Sequence, residues 1–428
     1  MKMMNKVAAG VVTIGLALTG CAAGGGAPTT NDQGQTVIRF SWWGNDTRNR
    51  LTEEVIALFE EQNPDIDVQG EPGEWSGYWD RLATQMAAGD APDVIQMDEK
   101  YIAEYGERGA LLDLEAAGVD VSRFAPGTVD TGRLSSGLFG INAGINSPTV
   151  IANPAVFEAA GVAIPDDTTW TWDDLAQTAQ AITEGSSDGA VGSQNYMMVE
   201  PIMRVWLRQQ GQDEFNEDGV AFDAETLGQF FQQGLDLQQS GAFPSASVAS
   251  EELTKPVDQT MGATNRLGLF YYWSNQVKAF DNASGQDLQI LRPPSMNGDG
   301  DHELWYKASM LWSASGRTGN QEAVVKFINF LANDVDAGKI LGVERGVPAN
   351  LDVREAVRPD LQASDAKIVE YLESIESELG DPMTVTPVGG ADIELGRWGT
   401  EVILERMTPQ AAAEGLTTEL TSKVQAGA

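Results

Sequence analysis

Between Val37 and Asp98 the sequence switches twice between short β-favouring stretches and helical periodicity, and this rhythm limits the fold more than any other feature. Val37, Phe40 and Trp42 mark a strand; Leu51, Val55, Leu58 and Phe59 then recur at helical spacing over 48–62, where Asn63-Pro64 stops the helix. Residues 65–70 alternate again. A second helix carries Tyr78, Leu82 and Met86 four apart and closes at Gly89, and 92–97 read as a third strand. A β-α-β-α-β order gives a mostly parallel sheet wrapped by helices, whose ligands sit beyond the carboxyl ends of the strands. Trp42, Trp43 and Asp98 fall at those ends.

The adjacent tryptophans pose a specific problem. Neighbouring residues on a strand point to opposite faces, so one pocket cannot take both rings. Trp42 shares a side with Phe40, which leaves Trp43 as the expected platform for a ligand, with Asn45 and Asp46 beside it.

Further along, Asn153-Pro154 opens a short helix that Gly161 ends. Thr171 and Asp174 are spaced as a capping box, which makes Trp172 a packing residue. A tight turn is expected at Asn216–Gly219, and a helix over 321–331 buries Val324, Val325, Phe327, Ile328 and Leu331.

The first twenty residues read as an export signal: Lys2 and Lys6 precede an apolar run, Val7–Leu18, that is too short to span a bilayer. Leu18-Thr19-Gly20-Cys21 resembles a bacterial lipobox, which makes Cys21, the single cysteine of the sequence, the expected lipidation site. Residues 21–35, rich in small residues, read as a flexible tether. The remaining roughly 390 residues are too many for one core, so two domains are expected. The net charge is −36, and −38 once the two signal lysines are gone; such a surface repels nucleic acid and anionic headgroups.

Catalytic signatures are scarce. The sequence has no nucleophile elbow, P-loop or zinc-binding H-E-x-x-H, and its single histidine, His302, is placed in a polar loop. Asn297–Asp301 imitates a calcium loop but lacks the required glycine and terminal glutamate. No metal or other cofactor is expected. Two carboxylates suffice for glycoside hydrolysis, and with 63 acidic residues no pair stands out.

The eleven tryptophans say more, because several neighbour polar residues: Trp75 in GEWSGY, Trp273 before Ser274-Asn275-Gln276, and Trp312 before Ser313. Sugars lay their C–H faces on aromatic rings and present hydroxyls to planar polar groups. Covering ~60 Å² of such surface is worth on the order of 1.5 kcal/mol, so several platforms are needed.

RFSWWGNDTRN, FEEQNPDIDV, GEWSGYWDRLATQMAAGDAPDVIQMD, TWDDL, YYWSNQ, SMLWSASGRTGNQEAVVKFINFL and RGVPAN, in this order, resemble the family 1 extracellular solute-binding proteins. The resemblance implies an α/β, two-lobed periplasmic-binding-protein-like fold (type II) with the ligand cleft between lobes joined by a multi-segment hinge. By that analogy the chain crosses near 141–146, 267–272 and 311–315, so that 36–143 plus 268–312 form lobe 1 and 144–267 plus 313–428 lobe 2. The matching cleft residues are Trp42, Trp43, Asn45, Asp46, Trp75, Asp98, Tyr101, Asn146, Trp273, Trp312 and Arg345. Asp98-Glu99-Lys100-Tyr101 departs from an Asn-Trp pair carried by some relatives. The implied function is non-catalytic: a monomeric receptor, anchored in the bilayer through Cys21, that captures an oligosaccharide by hinge closure and delivers it to the permease subunits of an ABC importer. The net acidity points to neutral sugars, although Arg48 and Arg345 would suit a uronic acid. A lipid-anchored glycoside hydrolase and a surface glycan adhesin stay open beside it.

Overall fold

The structure, a computed structural model, describes residues 28–216, 218–382 and 390–427. Cys21 and the signal segment lie outside them. The chain alternates as its sequence requires: β1 (Thr36–Trp43), α1 (Asp46–Gln62), β2 (Ile66–Gly73), α2 (Trp75–Ala88), β3 (Val94–Met97) and α3 (Glu99–Glu107). Asn45 caps α1 by accepting from the Arg48 amide, Gly89 ends α2 in the left-handed region, and Asp98 caps α3 through the Lys100 amide.

Two sheets divide the chain. β1, β2 and β3 are parallel, and they are joined by β4 (Ile141–Asn146) and a late strand, β9 (Lys307–Ala314), in the order β2-β1-β3-β9-β4. The second sheet is made of β5 (Pro148–Ala152), β6 (Val191–Ser193), β7 (Leu267–Trp273) and β8 (Gln289–Leu291), ordered β8-β5-β7-β6.

Helices cover the first sheet on both faces. α1 and the helix Gln321–Asn333 pack Val55, Phe59, Phe327 and Ile328 against Phe40, Trp42 and Trp312. On the other face Tyr78, Leu82 and Ile102 meet Trp43, Ile95, Met97 and Leu311. The second sheet anchors a separate core that includes Ile151, Leu175, Phe230, Leu269 and Phe270. Local punctuation is as expected: Asn153 caps Pro154–Ala160, Gly161 ends it, and Thr171 and Asp174 form a reciprocal capping box.

The expected division into lobes needs correction. β7 pairs with β5 and β6, so 267–273 belongs wholly to the second lobe, and so does the stretch through β8. β9 and the helices to Leu341 belong to the first lobe, since Phe327 and Ile328 fill its core. The chain therefore crosses at Asn146–Pro148, then at 304–307, and again after the helix Leu351–Val357, which packs on Val335–Leu341, rather than within β7 or β9. The tether also ends early: Thr29–Gln35 folds back, with the Val37 amide donating to Thr29 O and Asn31 bonding Gln35 and Asp67. His302 is fully buried rather than in a solvated loop, with its Nδ1 2.8 Å from Pro293 O.

Candidate functional site

Strand direction brings the chemistry together. β4 runs parallel to β3, because both are antiparallel to β9, so one edge of the first sheet carries the ends of β1, β2, β3 and β4 and the start of β9. Trp43, Gly73, Met97, Asn146 and Lys307 mark that edge. In the second sheet the ends of β6 and β7 lie beside the start of β5, where Trp273 pairs with Pro148. The two edges meet at the crossings and leave a cleft.

On the first lobe an aromatic cluster forms one wall. Trp79 stacks on Tyr101 with centroids 3.8 Å apart, and Trp43 meets Trp75 edge-to-face at 5.1 Å and Tyr78 at 5.2 Å. Trp75 is 46% exposed, one of three large apolar side chains left exposed among the described residues. The other two, Leu253 and Ile393, adjoin the cleft from the second lobe: Leu253 lines a cavity there, and Ile393 follows the lining residue Asp392.

Between the lobes lies a recess of about 140 Å³, bounded by Glu99, Lys100 and Lys307 from the first lobe and by Glu200, Arg204, Glu214, Trp273 and Asp392 from the second. Lys307 Nζ is 2.6 Å from Glu99 Oε1 and 5.3 Å from the centre of the Trp273 ring. Burial pushes the Glu99 carboxyl up despite this partner. Burial also opposes the Lys307 charge, but Glu99 and Asp98 outweigh it and raise its pKa. Trp273, Glu200 and Asp392 also border a larger cavity of about 360 Å³ with Asn195, Tyr272 and Gln276. A third, of about 480 Å³, opens between Thr47, Glu344, Asn275 and Asn146, whose buried Oδ1 has no hydrogen-bond partner among the described residues.

A family model described as bacterial extracellular solute-binding protein matches residues 54–368. The chain belongs to this family. A solved periplasmic oligogalacturonide binding protein from Yersinia enterocolitica is 21% identical, with a TM-score of 0.78 over 92% of this chain and 100% of that one. The putative ABC transporter periplasmic-binding protein YcjN of Escherichia coli K12 is 21% identical over 388 residues, 88% of this chain and 86% of that one. An uncharacterized lipoprotein from Streptomyces antibioticus is 28% identical over 188 residues, 42% of this chain; the match spans only 40% of that relative's length.

In this solute-binding protein the expected cleft residues separate into two groups. Trp75, Tyr101, Asp98, Asn146 and Trp273 stand at the facing edges, and exposed Asn45 and Asp46 open α1 there. Trp42 and Trp312 are core residues, 0% and 1% exposed. Trp43 is 8% exposed and supports Trp75 instead of offering its own face. The physical reason is that a sheet covered on both faces buries both rings of an alternating pair.

Arg345 is likewise a strut. Its Nε donates to Gln96 Oε1 at 3.0 Å and its Nη2 to Thr52 Oγ1 at 2.7 Å, above the Trp312 ring. Burial, with Arg48 close by, holds its pKa well below that of free arginine. Arg48 itself pairs with Glu344 at 2.9 Å and donates to the Trp43 carbonyl, and Arg345 is buried, so neither arginine is presented to a uronate. Glu99, Lys100, Glu200, Glu214 and Lys307 were not among the expected site residues. The only sequence signal was the unusual Asp98–Tyr101 stretch, which supplies two of them.

Proposed function

We propose that this protein is the capture receptor of an ABC importer, closing its lobes around an oligosaccharide and presenting the closed form to the membrane permease subunits and their ATPase. The observation that carries the reading is the aromatic residues at the two facing edges: exposed Trp75 at the start of α2 on one lobe, and Trp273 with Tyr272 on the other, lining a cavity with Asn195, Gln276, Glu200 and Asp392. The names of the Yersinia and Escherichia coli relatives support the ligand class and the transporter. To turn a mostly open population into a mostly closed one, the sugar must favour the closed form by ~5.5 kcal/mol. Two or three stacked rings at about 1.5 kcal/mol each, plus hydroxyl hydrogen bonds, reach that range.

Small-angle scattering with and without a short oligosaccharide tests the mechanism. The radius of gyration should fall on saturation. An unchanged radius with bound sugar would favour an adhesin, and release of new reducing ends a hydrolase.

The lipobox-like Leu18–Cys21 and the lipoprotein relative support anchoring at Cys21 on the outer face of the cell membrane. Dual acylation would hold the protein stably there. Cys21→Ser should shift it from the membrane fraction to the medium; full retention on the membrane would remove the lipid anchor from this reading.

A further inference from the structure

The recess between the lobes carries a charge imbalance. Its cations are all engaged among the described residues: Lys307 by Glu99 at 2.6 Å, Lys100 by Asp392 at 3.8 Å, and Arg204 by Asp213 at 2.6 Å. Arg204 is thus shared among Asp213, Glu200 and Glu214, and the five carboxylates Glu99, Glu200, Asp213, Glu214 and Asp392 outnumber the three cations around them. Glu214 is 2% exposed, and its Oε1 has no hydrogen-bond partner among the described residues. A buried carboxylate oxygen without a donor is costly, and two adjacent carboxylates cannot both ionise. Burial together with Glu200 pushes the Glu214 carboxyl well above the usual range, so the pair holds a proton between its two carboxyls.

We propose that the recess formed by Glu200, Glu214 and Trp273 receives the ammonium group of an amino sugar, so that the captured oligosaccharide carries at least one free amine. This rests on the oligosaccharide-receptor reading and narrows it. An ammonium offers three donors to the carboxylate oxygens and the positive charge that the recess lacks. Its arrival expels the shared proton to solvent, one cation replacing another, with no covalent change. A uronate would instead meet two carboxyls and no unengaged cation. An N-acetyl group would bring bulk and no charge. The charged groups around the pair are Glu99 and Lys100 on α3, Lys307 on β9, Arg204 on the helix of Glu200, Asp213 beside Glu214, and Asp392.

Calorimetric titration of the full protein with short oligosaccharides, α- and β-linked, tests this. Each series compares free-amine, N-acetylated, hydroxyl and uronate forms. At pH 7 the amine form should bind about 30-fold tighter than its counterparts, as expected for a charge-assisted contact, and release about one proton. Lowering the pH to 5 should weaken the amine form alone. Glu214→Gln should erase most of the preference without lowering the melting temperature; Glu200→Gln is the second variant should the first fail to fold. Equal or tighter binding of the hydroxyl, N-acetyl or uronate form would overturn the inference and leave the receptor reading standing. No binding by any form would overturn both.

Discussion

Trp43→Ala should cost the fold about 3–5 kcal/mol, the usual range for emptying a large aromatic site in a core. In lobes of this size that lowers the melting temperature by roughly 10 °C. Trp75→Ala should leave the melting temperature nearly unchanged and weaken sugar binding about tenfold, the loss of one ~1.5 kcal/mol platform. The contrast comes from burial: Trp43 is 8% exposed and wedged among Trp75, Tyr78 and Trp79, whereas Trp75 is 46% exposed at the start of α2. Trp273→Ala should weaken binding more, by about 100-fold, because it opens two adjoining cavities and removes the partner of Lys307. Scanning calorimetry and tryptophan fluorescence on the three variants separate the cases. A Trp43→Ala protein that melts like the parent but fails to bind would show that Trp43 is itself the platform.

What could be read from the sequence was local. Apolar periodicity and caps gave the order of strands and helices through β3, because Phe40, Val55, Phe59, Tyr78 and Leu82 repeat with the periods of the elements they occupy. The cap residues Asn153 and Thr171 act within three residues of themselves. Strand partners were not legible. LGLFYYW and KASMLWSA are both buried apolar strands, and nothing in either states which sheet it joins, so the lobe boundary was misplaced around both. Arg345 was misjudged for a related reason. A charged residue is seldom buried, and the groups that satisfy this one, Gln96 and Thr52, lie 249 and 293 residues away. The recess assembles from five separated stretches, Glu99–Lys100, Glu200–Glu214, Trp273, Lys307 and Gly390–Asp392, and only the Asp98–Tyr101 departure hinted at it.

Lys307→Met should be more harmful than removing both members of its ion pair. The variant leaves Glu99 buried at the first turn of α3 without the ammonium that stood 2.6 Å away, a loss of about 3–5 kcal/mol at neutral pH. The double variant Glu99→Gln/Lys307→Met removes the stranded charge and should recover most of that stability. The pH dependence has a definite sign. Burial already raises the Glu99 pKa in the native protein, and losing Lys307 raises it further. The unfolded chain then holds its proton less tightly than the folded one, so stability falls as pH rises above the ordinary glutamate range and returns on acidification. The Lys307→Met deficit should therefore be largest near pH 8 and shrink toward pH 4–5, while the double variant shows little such trend. Denaturant unfolding across that range is the measurement. A deficit that does not change with pH would mean that the stranded carboxylate is not its cause. Binding should suffer separately, because Lys307 lies both at the edge of the first sheet and over the Trp273 ring of the second lobe. Without it the recess loses the contact that ties the two walls together. The double variant should therefore regain stability without regaining affinity.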